Sequence, residues 1–268
     1  MNDISDPQAA RIAVAKSIIV KAGATALGYF ERFHTLSVER KTSGQDTVSE
    51  ADRNVETEIR TALSTAFPED GLWGEEHGRR DGASAYSWVI DPIDGTAAFL
   101  HGMPSWTVVI ALLKDDETVA GLIFAPAEGK LFFAETGKGA FCNDSPIRID
   151  HATPLDGGLV VIGPGAPHFA AHVGGVITRL MAAGGMYMRF GSAARSLSMV
   201  ASGNLLGFYE PALSPWDCLA GLLLVREAGG ETEGFSTHGD WSKRQPVLAV
   251  TPAAASALKA VIGPRGAV

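Results

Sequence analysis

Residues 88–96, WVIDPIDGT, constrain the fold more than any other part of the chain. Residues 88–90 form a short apolar run that predicts a buried strand. Asp91 places a carboxylate where this strand ends, and Asp94 follows three residues later. Pro92 lacks a backbone N–H, so we expect it to stop the sheet ladder. The stretch therefore predicts a strand that delivers two carboxylates to one point.

The end of the same stretch predicts a short helix. Gly95 permits a tight turn, and Thr96 is expected to cap a helix over residues 97–100. Two neighbouring carboxylates repel each other unless a cation lies between them, and the free N–H groups of a helix start suit a phosphate. A Mg²⁺ ion that holds a phosphate satisfies both groups. Asp-Pro and Asp-Gly also occur in ordinary turns, so the rest of the chain has to decide.

Composition narrows the class of protein. The 268 residues are 46% hydrophobic and 19% charged, with 22 basic and 30 acidic side chains and a net charge of -8. A chain of this length forms one large domain or two intimate halves. The acidic balance argues against nucleic acid as a partner. The two cysteines, Cys142 and Cys218, form neither a metal-type pair nor a disulfide framework, which favours the cytoplasm.

No membrane partner is expected either. Residues 1–10 are polar and acidic, unlike a secretory signal or a transit peptide. No stretch of the sequence reads as long and apolar enough to span a bilayer.

The first half of the chain, residues 1–150, is predicted to mix helices with a strand meander. We expect a helix over residues 6–30, irregular chain over 31–45, and a helix that buries Val55, Ile59 and Leu63 and stops before residue 68. A capping box is predicted at the start of this second helix, either Thr47 with Glu50 or Ser49 with Asp52. Residues 79–87 are expected to form a polar loop. Antiparallel strands are predicted over residues 107–113, 118–125, 130–135 and 147–149.

The second half, residues 151–268, alternates strands and helices as in layered α/β structure, so we place a boundary near residue 150. It carries Glu210 at a strand end and Asp217 in the first turn of a nearly all-apolar helix. Ser214 is the predicted N-cap of that helix and Pro215 its first residue. A carboxylate that opens a buried helix is costly unless it is paired or binds a metal.

The order of these acids and the residues around them closely resemble the sequence pattern of the inositol monophosphatase family of Mg²⁺-dependent, lithium-sensitive phosphatases. The resemblance covers almost the whole chain and implies a layered α-β-α-β-α sandwich of the inositol monophosphatase and fructose-1,6-bisphosphatase type. It also implies a homodimer. The matching segments are residues 46–52 (DTVSEAD), 73–76 (WGEE), 91–96 (DPIDGT), 191–194 (GSAA) and 216–217 (WD), followed by 227–230 (EAGG).

The resemblance implies a site with two to three Mg²⁺ ions. Glu75, Asp91 and the backbone carbonyl of Ile93 are similar to the ligands of the first ion. Asp91, Asp94 and Asp217 are similar to the ligands of the second. The implied reaction is in-line attack by metal-activated water on a small phosphate monoester, without a phosphoenzyme.

Further roles follow from the same resemblance. Asp46, together with Glu75, matches the acid beside a third, weaker ion and the nucleophilic water. Thr96 is implied to orient that water, and the N–H groups of Gly95 and Thr96 to hold the phosphate. The implied substrate-binding residues are Ala193, Glu210 and Asp217.

The substrate is left open among several family branches. Inositol monophosphate is the first candidate, although Ala97-Ala98 replaces the Thr-Asn of the inositol-type pattern. Residues 99–106 (FLHGMPSW) also resemble the histidinol-phosphatase branch. A 3'(2'),5'-bisphosphate nucleotidase is a further alternative, and a regulatory protein that binds the transcription machinery is the non-enzymatic one.

Overall fold

The chain is described by a computed structural model that covers residues 6–36, 38–40, 47–236 and 241–263. The α-helices are α1 (Pro7–Phe30), α2 (Glu50–Ala66), α3 (Thr96–Leu100), α4 (Ala170–Ala182), α5 (Ala193–Ala201), α6 (Pro215–Glu227) and α7 (Pro252–Ile262). The strands are β1 (Val38–Arg40), β2 (Thr47–Ser49), β3 (Gly71–Gly74), β4 (Gly78–Arg80), β5 (Tyr86–Asp94), β6 (Thr107–Lys114), β7 (Glu117–Ala125), β8 (Lys130–Glu135), β9 (Gly139–Cys142), β10 (Ser145–Ile147), β11 (Leu159–Ile162), β12 (Met186–Met188), β13 (Gly207–Leu213), β14 (Glu231–Glu233) and β15 (Gln245–Val250).

Two sheets and three helix layers form the predicted α-β-α-β-α sandwich. The larger sheet has the order β10-β9-β8-β7-β6-β5-β3-β4, and the smaller has the order β12-β11-β13-β15-β14. Helices α1 and α2 pack on one face of the larger sheet, α5 and α6 lie between the sheets, and α4 and α7 cover the smaller sheet. Both faces of these two sheets thus meet helices, and the apolar side chains form three successive cores.

Strand β5 shows how the sequence predicts a sheet with helices on both faces. Trp88 and Ile90 point into the core beneath α1 and α2, whereas Val89 points into the core around α6. All three are buried. Successive side chains of a strand face opposite sides of a sheet, so an uninterrupted apolar run belongs to a strand that is covered on both faces.

Helix α1 corrects one expectation. By length and composition alone it is long and apolar enough to cross a membrane, with a mean hydropathy of 1.3 over its best window. In the fold it packs against β6 and β7 and buries Ile12, Ala15 and Ile19. Arg11 on its surface pairs with the buried carboxylate of Asp70 at 2.7 Å. This helix is therefore a core element of the sandwich.

Several local predictions are confirmed and others are wrong. The meander β6–β10 is antiparallel, and Ser49 with Asp52 forms the capping box of α2. The chain over 31–45 is not wholly irregular, because residues 38–40 pair with 47–49. The segment 79–87 is not one loop, since residues 78–80 form β4 and β5 begins at residue 86. Short two-stranded pairings carry too few residues to show an alternating pattern.

Pro92 does not end its strand. Strand β5 continues to Asp94, and its register with β6 shifts between Asp91 and Asp94. Such an irregularity leaves a residue without a ladder partner, which accommodates a proline that has no N–H to donate. The shift lies between the two carboxylates of the motif.

Candidate metal centre and substrate pocket

Three carboxylates converge where β5 ends and α6 begins. Asp91 and Asp94 come from β5, and Asp217 comes from the first turn of α6. One carboxylate oxygen from each lies within 4.8 Å of the other two. Asp91 and Asp94 are 1% and 6% exposed, and Asp217 is partly buried. The sequence-predicted acids of the central motif and of the Trp-Asp motif therefore meet in space.

The electrostatics of this cluster favour a bound cation. Burial raises the pKa of Asp91 well above its ordinary value, and the charges of Glu75, Asp94 and Asp217 raise it further. Burial also raises the pKa of Asp217, with Glu75 and Asp94 adding to the shift. Oxygen-only ligands at this spacing suit a hard divalent ion such as Mg²⁺. Such an ion would offset the repulsion that the carboxylates otherwise exert on one another.

Asp94 is held by the start of α5. Its Oδ2 accepts hydrogen bonds from Ser192 Oγ at 2.5 Å and from the backbone N–H of Ala194 at 2.7 Å. Its Oδ1 accepts one from the N–H of Ala193 at 3.2 Å. Burial raises the pKa of Asp94, and these donors act against that rise. Ser192 is the N-cap of α5; in the sequence it appeared only as part of the matching segment 191–194, with no site role of its own.

Glu75 follows β3 and lies at the same sheet edge as Asp91. Strands β3 and β5 run parallel, with Gly74 opposite Ile90, so their carboxyl ends meet. The backbone N–H of Glu75 donates to the carbonyl of Ile90 at 3.3 Å. The charge of Glu75 acts on both Asp91 and Asp217. The register of β3 with β5 therefore explains why Glu75 lies near Asp91, as the resemblance implies.

Glu56 on α2 fixes the turn that carries Glu75. The Glu56 carboxylate is fully buried and accepts from the N–H groups of Glu76 at 2.7 Å and His77 at 3.2 Å. A Cβ on Gly74 would lie 2.0 Å from its Oε1, so the carboxylate occupies space that only glycine leaves free. Sequence reasoning missed this residue, because Glu56 falls beside Val55 and Ile59 on an ordinary amphipathic helix.

The N-cap of α3, in the turn after Asp94, differs from the prediction. Gly95, with φ +96°, is the N-cap of α3, and Thr96 is the first helical residue. The hydroxyl of Thr96 lies 3.1 Å from both Asp52 Oδ1 and the carbonyl of Ile93. Asp91 Oδ1 accepts the N–H of Ile93 at 3.0 Å. The side chain of Thr96 therefore contacts α2 and β5 and does not cap α3.

Asp52 is the acid that the structure places beside Thr96. It is 1% exposed, and its Oδ2 accepts from Ser49 N–H at 2.9 Å and from Ser49 Oγ at 2.6 Å. Burial raises the pKa of Asp52, while the Ser49 hydrogen bonds lower it. The predicted acid Asp46 lies outside the described residues. The sequence signalled Asp52 only as a capping residue.

The predicted substrate residues line one pocket next to the carboxylates. This inner pocket has a volume of about 140 Å³, and its walls include Asp94, Ala193, Glu210 and Asp217. Glu210 Oε1 accepts the N–H of Gly165 at 3.1 Å. Burial raises the pKa of Glu210 to about 7. A substrate phosphate at the metal centre would thus leave the rest of its molecule against Ala193 and Glu210.

Two arginines of this pocket were not predicted. Arg189 and Arg244 line the inner pocket, and both act electrostatically on Glu210. They lie far apart in the sequence, in surface segments with no motif. Nothing in the local sequence marks them as site residues.

Comparison with known proteins agrees with this geometry. The sequence model of the inositol monophosphatase family matches residues 8–262. A Mesorhizobium japonicum protein named inositol-1-monophosphatase is 44% identical over 216 residues, or 79% of this chain and 80% of that protein. A Chlorobaculum parvum protein named histidinol-phosphatase is 37% identical, covering 81% of this chain and 83% of its own length. Further relatives carry the name Nus factor SuhB.

The fold is also found in solved structures. The extragenic suppressor protein suhB from Bartonella henselae superposes with a TM-score of 0.88 at 33% identity. The match covers 96% of this chain and 100% of that one. The similarity confirms the layered sandwich predicted from the sequence.

Proposed function

Because this chain belongs to the inositol monophosphatase family, we propose that it is a Mg²⁺-dependent phosphomonoesterase that hydrolyses a small polyol phosphate. Inositol monophosphate is the first candidate substrate. The observation that carries the proposal is the cluster of buried Asp91 and Asp94 with partly buried Asp217, in which one carboxylate oxygen of each lies within 4.8 Å of the others.

The donor set fits the proposed metal. Asp91, Asp94 and Asp217 offer hard oxygen ligands, and Glu75 and the carbonyl of Ile93 complete the set that would hold two to three ions. Bound Mg²⁺ supplies charge neutralisation of the phosphate, a lowered pKa of water and stabilisation of the leaving alkoxide. The buried, mutually repelling carboxylates of this chain are the groups that such an ion would stabilise.

Thr96 and Asp52 are proposed to orient the attacking water. Thr96 Oγ1 has one proton, which Asp52 Oδ1 can accept at 3.1 Å. The lone pairs of the threonine oxygen then face away from that bond and accept a hydrogen bond from water. This pair takes part of the role that the sequence interpretation gave to Asp46. The N–H groups of Gly95 and Thr96 are proposed to hold the phosphate.

Ala193, Glu210 and Asp217 are proposed to contact the body of the substrate. A carboxylate such as Glu210 accepts hydrogen bonds from polyol hydroxyls. It would also attract an ammonium group, and this supports histidinol phosphate as the second candidate. The name of the Chlorobaculum parvum relative supports the same alternative. Family membership further supports a cytoplasmic homodimer that lithium inhibits.

The test is phosphate release from a substrate panel with Mg²⁺. The panel contains inositol 1-phosphate, histidinol phosphate and adenosine 3',5'-bisphosphate. Asp94→Asn is compared with Asp116→Asn, a control in the exposed β6–β7 turn where φ is already +66°. We expect turnover that a chelator and Asp94→Asn abolish and Asp116→Asn retains. Mg²⁺ binding without turnover of any compound would contradict the proposal and favour the regulatory alternative.

A further inference from the structure

A second recess opens beside the inner pocket. This outer recess has a volume of about 510 Å³, and its walls include His168, Phe169, Lys243 and Pro246. Arg244 and Ala212 line both cavities, so the two adjoin. A volume of about 300–1,000 Å³ is typical of cavities that bind small molecules. The site therefore offers room beyond the inner pocket for a longer substrate.

The charge of this region is opposite to that of the protein. The chain carries a net charge of -8, yet the described walls of the outer recess include Lys243 and Arg244 and no carboxylate. The inner pocket adds Arg189 at its wall. Two carboxylates of the inner pocket, Asp94 and Asp217, belong to the proposed metal centre, which leaves Glu210 as the acid that faces the two arginines. The outer end of the combined cavity is cationic.

We propose that Arg189 and Arg244 form a second anion-binding subsite, which favours phosphate esters that carry another anionic group at the end remote from the scissile phosphate. The inference rests on the proposed function, because that function places the scissile phosphate at Asp91, Asp94 and Asp217. A guanidinium presents paired N–H donors that match the oxygens of a phosphate or a carboxylate. The second group would lie where the inner pocket meets the outer recess, next to Arg244.

The same charges separate the candidate substrates. A neutral polyol end gains nothing from the arginines. An ammonium end, as in histidinol phosphate, is attracted by Glu210 but repelled by the two arginines, so it gains less than an anionic end. An anionic end is attracted. The subsite thus predicts that the enzyme prefers substrates according to the charge of the group remote from the scissile phosphate.

Two matched pairs of compounds test the subsite. Fructose 1,6-bisphosphate and fructose 1-phosphate differ only in the second phosphate, and 6-phosphogluconate and sorbitol 6-phosphate differ only in a carboxylate. For each pair the ratio of kcat/KM is measured for the wild type, Arg189→Gln and Arg244→Gln. Arg148→Gln is the control, because Arg148 is exposed and lines neither cavity.

We expect the wild type to favour the doubly anionic member by roughly tenfold or more, as a charge-assisted hydrogen bond provides. Arg244→Gln and Arg189→Gln should lower that ratio toward one, and Arg148→Gln should not. The pair that shows the effect identifies phosphate or carboxylate as the preferred group. A wild-type ratio near one, or a ratio that neither substitution changes, would overturn the subsite while turnover itself upheld the phosphatase.

If no compound of the pairs is hydrolysed, the phosphatase proposal fails for these substrates, and the subsite is judged by calorimetric affinity with Mg²⁺ present. The affinity ratio within each pair replaces the ratio of kcat/KM. Equal affinities within both pairs would reject the subsite, and an arginine-dependent preference would uphold it.

Discussion

The hydroxyl of Thr96 lies 3.1 Å from Oδ1 of Asp52, a buried carboxylate 44 residues earlier in the chain. Asp52 belongs to the capping box of α2, and Thr96 opens α3 beside the metal centre. The Asp52 side chain therefore both caps the start of α2 and orients the Thr96 hydroxyl at the site.

Asp52→Asn tests this link. The amide is a weaker proton acceptor, so the proposed orientation of water by Thr96 is impaired, and we expect kcat to fall about 100-fold. The comparison is Ser49→Ala, which removes the cap hydroxyl that also donates to Asp52 Oδ2 and costs about 1 kcal/mol of unfolding free energy, but keeps the Asp52 carboxylate and its hydrogen bond with Thr96. Steady-state kinetics and thermal unfolding of both variants provide the measurement. An equal loss of kcat in both would assign the effect to the cap alone.

Glu56→Gln should weaken metal binding. The two N–H groups of the Glu75 turn would then face an amide with one acceptor oxygen, which loosens the turn. We expect the Kd for Mg²⁺ to rise about tenfold, as is usual when support of a ligand is removed. Calorimetric titration measures it, with Glu58→Gln on the same helix as the control. Equal Kd values for the wild type and Glu56→Gln would rule out this positioning role.

The stability of the metal-free protein should fall as pH rises. Burial and mutual repulsion raise the pKa values of Asp91 and Asp217 above those of the unfolded chain. The folded state then binds more protons than the unfolded state, so its stability is greatest below the unfolded pKa and is lost as pH rises through the folded pKa. Glu210, with a pKa of about 7, adds to the same trend.

Thermal unfolding, measured in chelator and in Mg²⁺, tests whether stability falls as pH rises. We expect Tm in chelator to fall between about pH 5 and pH 8, and the gain from Mg²⁺ to grow over the same range. Asp91→Asn should flatten the slope in chelator and remove most of the gain from Mg²⁺. A slope that Asp91→Asn leaves unchanged would show that the cluster does not cause it.

Gly95→Ala should damage the site more than the fold. Its φ of +96° disfavours a side chain, and a Cβ there would lie 3.0 Å from Ser192 Cβ and 3.1 Å from the carbonyl of Ser105. Gly137→Ala is the matched control, because Gly137 also has a positive φ but nothing within 4 Å. Each should cost about 1–2 kcal/mol of unfolding free energy. Only Gly95→Ala should lower kcat by about tenfold or more. Similar losses of kcat in both variants would contradict the steric argument.

Much of the fold could be predicted because the signals are local. Helix α2 follows from the spacing of Val55, Ile59 and Leu63 and from a cap at Ser49, and the structure confirms both. Helix α6 begins, as predicted, with Ser214 as cap and Asp217 in its first turn. The short strands β4 and β14 were missed, because three residues carry no periodic pattern and their pairing is decided by neighbouring strands.

The sequence by itself determined that Asp91, Asp94 and Asp217 stand at the ends of elements, whereas Glu210, expected at a strand end, lies inside β13. Asp91 and Asp94 close an apolar strand and Asp217 opens an apolar helix, and such positions follow from hydrophobic patterning and capping. Only the tertiary structure decided that Thr96 meets Asp52, that Glu56 supports the Glu75 turn, and that Arg189 and Arg244 share a cavity with Glu210. These contacts join elements distant in the chain, and their geometry depends on how whole layers pack, which no local pattern of residues records.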